Sequence, residues 1–186
     1  MARVNIVDPQ TATGSAKSLL DAVQTQLGVT PNFIRVLANS PMALEGFLGL
    51  YGALGKASLN QATQERIALA IAEGNSCQYC VSAHTAIGRG AGLSNDEMAL
   101  NRNGTSGDAR SAAIVAFAKE LNTNLGAITT AEFDAIKGAG LTDGEIVEII
   151  SVVALNIFTN ILGKATRVEI DFPEVALFTG SERIAA

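Results

Sequence analysis

The sequence predicts an all-α protein folded as a single domain over residues 1–186, with residues 1–14 as an N-terminal arm. Three observations carry this. Apolar residues recur at helical spacing between Gly, Pro and Asn breaks, and Ser, Thr and Asn stand where those helices would begin. No stretch alternates apolar and polar residues as a half-buried strand requires. With 186 residues, 48% hydrophobic and 17% charged, the chain can bury a sizeable core. So low a charged share also suggests that some apolar surface is covered between subunits.

The elements follow in order. Ala2–Pro9 reads as an extended arm. Ser15–Leu27 carries Leu19, Leu20, Val23 and Leu27 on one face and is stopped by Gly28. Pro31 opens a short helix to Ala38, and Pro41 opens another to about Lys56, because proline suits a first helical turn. In the second, Gly46, Gly49, Gly52 and Gly55 recur every three residues and predict close packing of backbones. Gln61–Gly74 is a strong helix. Asn75-Ser76 would cap the next, from Cys77 to about Gly88. Helices are expected at about 94–102, 106–122, 129–138 and 142–162, with capping boxes at Ser94/Glu97 and Thr142/Glu145. Val168–Phe172 reads as a short extended piece.

A weak internal repeat accompanies these elements. Gly92-Leu93-Ser94 echoes Gly140-Leu141-Thr142, and a shift of 80 positions sets Glu65 on Glu145, Cys80 on Asn160 and His84 on Lys164. This suggests two related helical halves, the second lacking the thiols.

Charge and hydropathy remove several function classes. A net charge of −5 without a Lys/Arg cluster leaves no footprint for nucleic acid or for an anionic membrane surface. No uninterrupted apolar run of about 18 residues predicts a membrane span. Met1–Gln10 lacks the basic and apolar regions of a signal peptide. The expected location is therefore cytoplasmic, where a cysteine pair is read as catalytic or metal-binding before it is read as a structural staple.

All the soft titratable side chains fall within eight residues. The chain has two cysteines, Cys77 and Cys80, and one histidine, His84. At about 100° per helical residue the three lie within an arc of roughly 60°. Cys80 and His84 are i,i+4 neighbours, and a helix N-terminus favours a thiolate. The helices 61–74 and 77–88 should form an antiparallel hairpin. Positions whose numbers sum to about 151 then face each other, which brings Glu65 near His84 as a third member of a proton relay. Glu73 would face Gln78 instead. Zinc held by Cys77, Cys80, His84 and Glu65, or a pair of inert buried thiols, are the competing readings.

Glu65, eleven residues, Cys77-Gln78-Tyr79-Cys80, three residues, His84 resembles the AhpD-like (alkylhydroperoxidase D) branch of the carboxymuconolactone decarboxylase superfamily. Pro31-Asn32-Phe33, Ser40-Pro41 and Asn156–Asn160 are similar to its longer members, so the resemblance runs from about Thr30 to Pro173. It implies an AhpD-like helical bundle with the CxxC at a helix N-terminus, and a peroxidase that reduces hydroperoxides. It implies that Cys80 is oxidised, that Cys77 resolves the product as a disulfide, and that Glu65 and His84 relay protons. The implied partners are a hydroperoxide and an external dithiol or thioredoxin-like or lipoyl reductant, with a peroxiredoxin as a further candidate. A trimer or hexamer is implied too, with no cofactor and no metal. Tyr79 departs from the family, whose well-studied members carry a histidine there. A tyrosine is a poor base at neutral pH. The alternatives are a lactone decarboxylase, which needs no CxxC, and a non-catalytic redox-sensing oligomer. Asn156, Thr159 and Asn160 are candidate pocket residues.

Overall fold

The structure, a computed structural model, describes residues 2–179. Among these the chain is all-α, with nine helices: α1 Gly14–Leu27, α2 Asn32–Leu37, α3 Pro41–Leu54, α4 Gln61–Gly74, α5 Gln78–Gly90, α6 Asn95–Arg102, α7 Ala109–Thr123, α8 Thr130–Gly138 and α9 Asp143–Thr166.

Helix α4 is the hub. Buried residues occur all round it, from Thr63 and Glu65 to the unbroken run Ile67–Glu73, so it must be covered on every side. Helices α5, α6, α7 and α9 supply that cover. Two large apolar cores result, with a small third of Leu69, Leu93 and Met98. One gathers α1, α2, the start of α3 and the Cys77–Val81 turn of α5. The other gathers the end of α3 with α4, α7, α8 and α9. Phe47 packs against both, and the cysteine pair lies near their junction.

The chain ends are held against this bundle. The arm lies over α2, where Val7 N–H donates to the Arg35 carbonyl and Arg35 Nε donates to the Val7 carbonyl. After α9 the chain leaves through Arg167, in the left-handed region at φ 51°. It then runs without regular structure along α4 and α5. Val175 N–H donates to Ser82 Oγ, and Phe178 N–H donates to Glu73 Oε1.

Several expectations need correction. Helix α5 begins one residue later than its pattern suggested. Asn75 closes α4, and Cys77 itself is the N-cap, with no side-chain cap bond. The glycines of α3 do not mediate close packing: a Cβ at Gly46, Gly49 or Gly52 would meet nothing within 4 Å. Of the two expected capping boxes, Thr142/Glu145 forms fully. At Ser94 only the serine half forms, because Glu97 turns instead to Arg66, Asn101 and Ser106. A box at Thr129/Glu132 was missed.

The 80-residue repeat sets the α4–α5 hairpin on one unbroken helix, α9, so the hairpin is not copied. The shorter echo survives as helix-entry chemistry. Gly92 and Gly140 both have positive φ, and Ser94 and Thr142 are both N-caps. Helix α9 also runs past residue 162 to Thr166, and its mean hydropathy of 1.9 over an 18-residue window is that of a membrane span. A count of uninterrupted apolar residues overlooks this. Here its inner face packs on α3, α4, α5 and α7, and a core helix passes the same test.

Candidate active site

The α4–α5 turn is short because its backbone bonds close it tightly. Asn75 N–H donates to the Ile71 carbonyl, Ser76 N–H to that of Glu73 and Cys77 N–H to that of Ala72. Ser76 takes φ 53°, which costs a non-glycine residue about 1 kcal/mol. The rest of the turn is held from outside. The Asn75 amide donates to Asn122 Oδ1 and Asn160 Oδ1, and Lys164 Nζ donates to the Asn75 carbonyl. Cys77 at the N-cap and Cys80 at the third helical position are joined by a disulfide, with Cα atoms 5.3 Å apart. Both lie at the positive end of α5, where free N–H groups stabilise a thiolate. They are 1% and 3% exposed.

The hairpin brings Glu65 to His84. Glu65 Oε2 lies 2.8 Å from His84 Nδ1, with both side chains mostly buried. An ionised carboxylate can only accept, so this contact suits an imidazole that donates through Nδ1 and leaves Nε2 for other partners. Glu73, the other acid of α4, is spent elsewhere: it pairs with Arg102 and accepts from Phe178 N–H.

A cavity of about 160 Å³ opens on this group. Phe33, Phe47, Tyr51 and Phe172 give it aromatic walls, and Cys80, His84 and Glu65 line it, whereas Cys77 does not. Asn156 and Thr159 line it as well, but their side chains are tied to their own helix, through the Val152 and Asn156 carbonyls. Asn160 is not among the lining residues; its Oδ1 accepts from Asn75. Tyr51 stacks on Phe47 with ring centroids 5.7 Å apart. Burial, and then the Glu65 charge, push its phenol above the ordinary value.

Tyr79 is a strut. Its hydroxyl accepts from Phe33 N–H at 3.2 Å and donates to Asp171 Oδ1 at 2.9 Å. Asp171 Oδ2 in turn accepts from Asn32 N–H. Pro31 precedes α2 and offers no side-chain cap, so Tyr79 and Asp171 supply one from two distant segments. Burial pushes the Tyr79 phenol far above its usual range; the bond from Phe33 N–H opposes this, and the Asp171 carboxylate adds to the rise. The hydroxyl therefore stays protonated and is no base.

Residues 41–121 match the sequence profile of the carboxymuconolactone decarboxylase family. The matching stretch is less than half of the chain. It contains Glu65, Cys77, Cys80 and His84. The described chain has the AhpD-like fold. It superposes on an alkylhydroperoxidase AhpD core protein from Ralstonia eutropha JMP134 with TM-score 0.79 and 24% identity, covering 91% of this chain and 92% of that one. A peroxidase-related protein from Silicibacter sp. TM1040 gives TM-score 0.79 and 23% identity, covering 90% and 91%. The debrominase Bmp8, solved as a cysteine-to-alanine variant with 2,3,4-tribromopyrrole, gives 0.74 and 19%, covering 92% and 94%. No curated protein matches the chain.

The matching stretch thus holds the thiols, the histidine and the acid, while the pocket borrows from outside it. Phe33 comes from α2, Asn156 and Thr159 from α9, and Phe172 from the tail. The aromatic walls were not found from sequence. Phe47 and Tyr51 stand at i,i+4 and offered a signal, whereas Phe33 and Phe172 are brought in only by folding. Among the described residues no three His, Cys, Asp or Glu groups converge as a metal cluster.

Proposed function

We propose that the protein is a thiol peroxidase that reduces apolar hydroperoxides at Cys80. The supporting observation is that the cavity reaches Cys80 and His84 but not Cys77. The Cys80 thiolate attacks the distal peroxide oxygen and breaks the O–O bond. His84 Nε2 takes the Cys80 thiol proton, the sulfur becomes a sulfenic acid, and the alkoxide receives that proton back from Nε2 and leaves as alcohol. Cys77 then displaces water from the sulfenic acid and closes the disulfide. Glu65 orients the imidazole and balances its charge. An external dithiol attacks the disulfide, leaves as its own disulfide and returns two thiols. With both sulfurs nearly sealed, a slender dithiol suits the site better than a broad protein face. Lactone decarboxylation fits poorly, since among the described residues no Lys or Arg lines the cavity to meet the substrate's carboxylates.

The aromatic walls and the likeness to the debrominase favour one second reading. A halogenated aromatic ring would gain hydrogen and lose halide while two thiols become the disulfide.

The deciding experiment titrates reduced protein with cumene hydroperoxide. The expected result is one peroxide consumed per chain, formation of the Cys77–Cys80 disulfide and no consumption by Cys80→Ser. Equal rates in the two proteins sink the peroxidase reading, and turnover of a bromopyrrole alone selects the second.

A further inference from the structure

Gly163 stands in the last turns of α9, where the backbone is ordinary right-handed helix. Glycine is the weakest helix former after proline, so its presence inside a buried helix calls for a packing reason. That reason is sulfur. A Cβ built on Gly163 would lie 3.3 Å from Cys77 Sγ and 3.8 Å from Cys80 Sγ. Outside the helix's own backbone and chain neighbours, nothing else among the described residues stands within 4 Å of it. The glycine therefore faces the redox pair alone.

Helix α9 has little freedom to retreat from that contact. Lys164 and Asn160 fasten it to Asn75, two residues before Cys77, and Val168 N–H closes on the Gly163 carbonyl. Cys77 is sealed on its other sides, since it is 1% exposed and does not reach the cavity. Opening a disulfide moves the sulfurs from roughly 2 Å apart to contact at about 3.5 Å or more. Cys80 can turn into the cavity. Cys77 has only the space in front of Gly163.

We infer that Gly163 is a positioning residue of the redox centre, whose missing side chain leaves Cys77 Sγ the room it needs when the disulfide opens to the dithiol. This rests on the pair cycling between those two states, as the peroxidase reading also requires. The disulfide takes up two electrons and two protons from an external dithiol, which is itself oxidised to its disulfide. A methyl group at residue 163 fills the space used by the reduced form and so favours the oxidised one.

The test equilibrates wild-type protein and Gly163→Ala with dithiothreitol redox buffers and quantifies the thiols. The equilibrium constant for reduction is expected to fall at least tenfold, which is about 30 mV for a two-electron couple. Constants within twofold of each other overturn the inference. Thermal unfolding under reducing conditions gives a second reading and covers a variant that folds poorly. Gly163→Ala should lower Tm in the wild-type background and raise it once Cys77→Ala has removed the opposing sulfur. An equal loss in both backgrounds also overturns the inference. Neither measurement uses peroxide. A shifted potential without peroxide turnover would end the peroxidase reading alone, and turnover with an unmoved potential would end only this one.

Discussion

Replacing Tyr79 by phenylalanine separates a strut from a base. The ring stays, with its packing on Phe33 and Phe172. What goes is one oxygen with two partners, Phe33 N–H and the Asp171 carboxylate. Phe33 N–H is in the first turn of a helix whose N-cap is a proline, so the helix's own N-cap side chain cannot replace the lost acceptor. Leaving it unpaired costs about 1–3 kcal/mol, and the lost bond to a charged acceptor adds a comparable amount. Asp171 keeps its Asn32 bond and gains solvent, which returns part of this. The net expectation is a loss of about 2–3 kcal/mol, or ~5–10 °C in Tm for a chain of this length. Thermal unfolding followed by circular dichroism measures it. Because the hydroxyl holds its proton, hydroperoxide kcat/KM should stay within about threefold of wild type, with an unchanged pH profile. A 100-fold fall in kcat/KM at unchanged Tm would refute the reasoning and make Tyr79 part of the chemistry.

Other predictions can be checked together. His84→Ala should lower peroxide kcat/KM by on the order of 10²-fold, as loss of a general acid–base group does; a stopped-flow rate within twofold of wild type counts against the relay. Glu97 tests pH dependence. Burial opposes its ionisation, but hydrogen bonds from Ser106, Arg66, Gly107 and Asn101 outweigh it and hold the carboxyl at about 2, against an ordinary 4.5. A depressed carboxyl contributes stability above pH 4.5 that is lost as pH falls toward 2, here up to about 3 kcal/mol. The gap between wild type and Glu97→Gln in urea unfolding should therefore shrink over that window, and a gap independent of pH would contradict it. Val147, Ile150, Phe158 and Ile161 form an exposed apolar row on α9 that a second copy is expected to cover. Light scattering at the single-chain mass of 19.2 kDa would exclude this.

Much of the site was legible because it is local. Cys77, Cys80 and His84 share one helix, and helical period alone puts them on one face. Glu65 was reachable because a short turn, three residues long in the structure, fixes the register of a hairpin, and the 2.8 Å contact with His84 follows from that register. The helix boundaries were legible where a side chain caps them, as at Asn60 and Thr142. They slipped at Cys77 and at α2, where the N-cap residue makes no side-chain cap bond, and at α7, expected from 106 but begun at Ala109 behind the Asp108 cap.

The sequence by itself determined the all-α class and the closeness of Glu65, Cys77, Cys80 and His84, since both rest on periodicity and short-range spacing. Only the tertiary structure decided which sulfur faces the cavity, what walls the cavity has and what Tyr79 does. Those depend on Phe33, Asp171 and Phe172, which lie far from residue 79 in the chain and reach it only through packing. Small residues make the same point. The regular glycines of α3 face open space, while the lone Gly163, unremarked in the sequence, meets the two sulfurs. A glycine's role is set by what stands opposite it, and spacing along one helix carries no information about that.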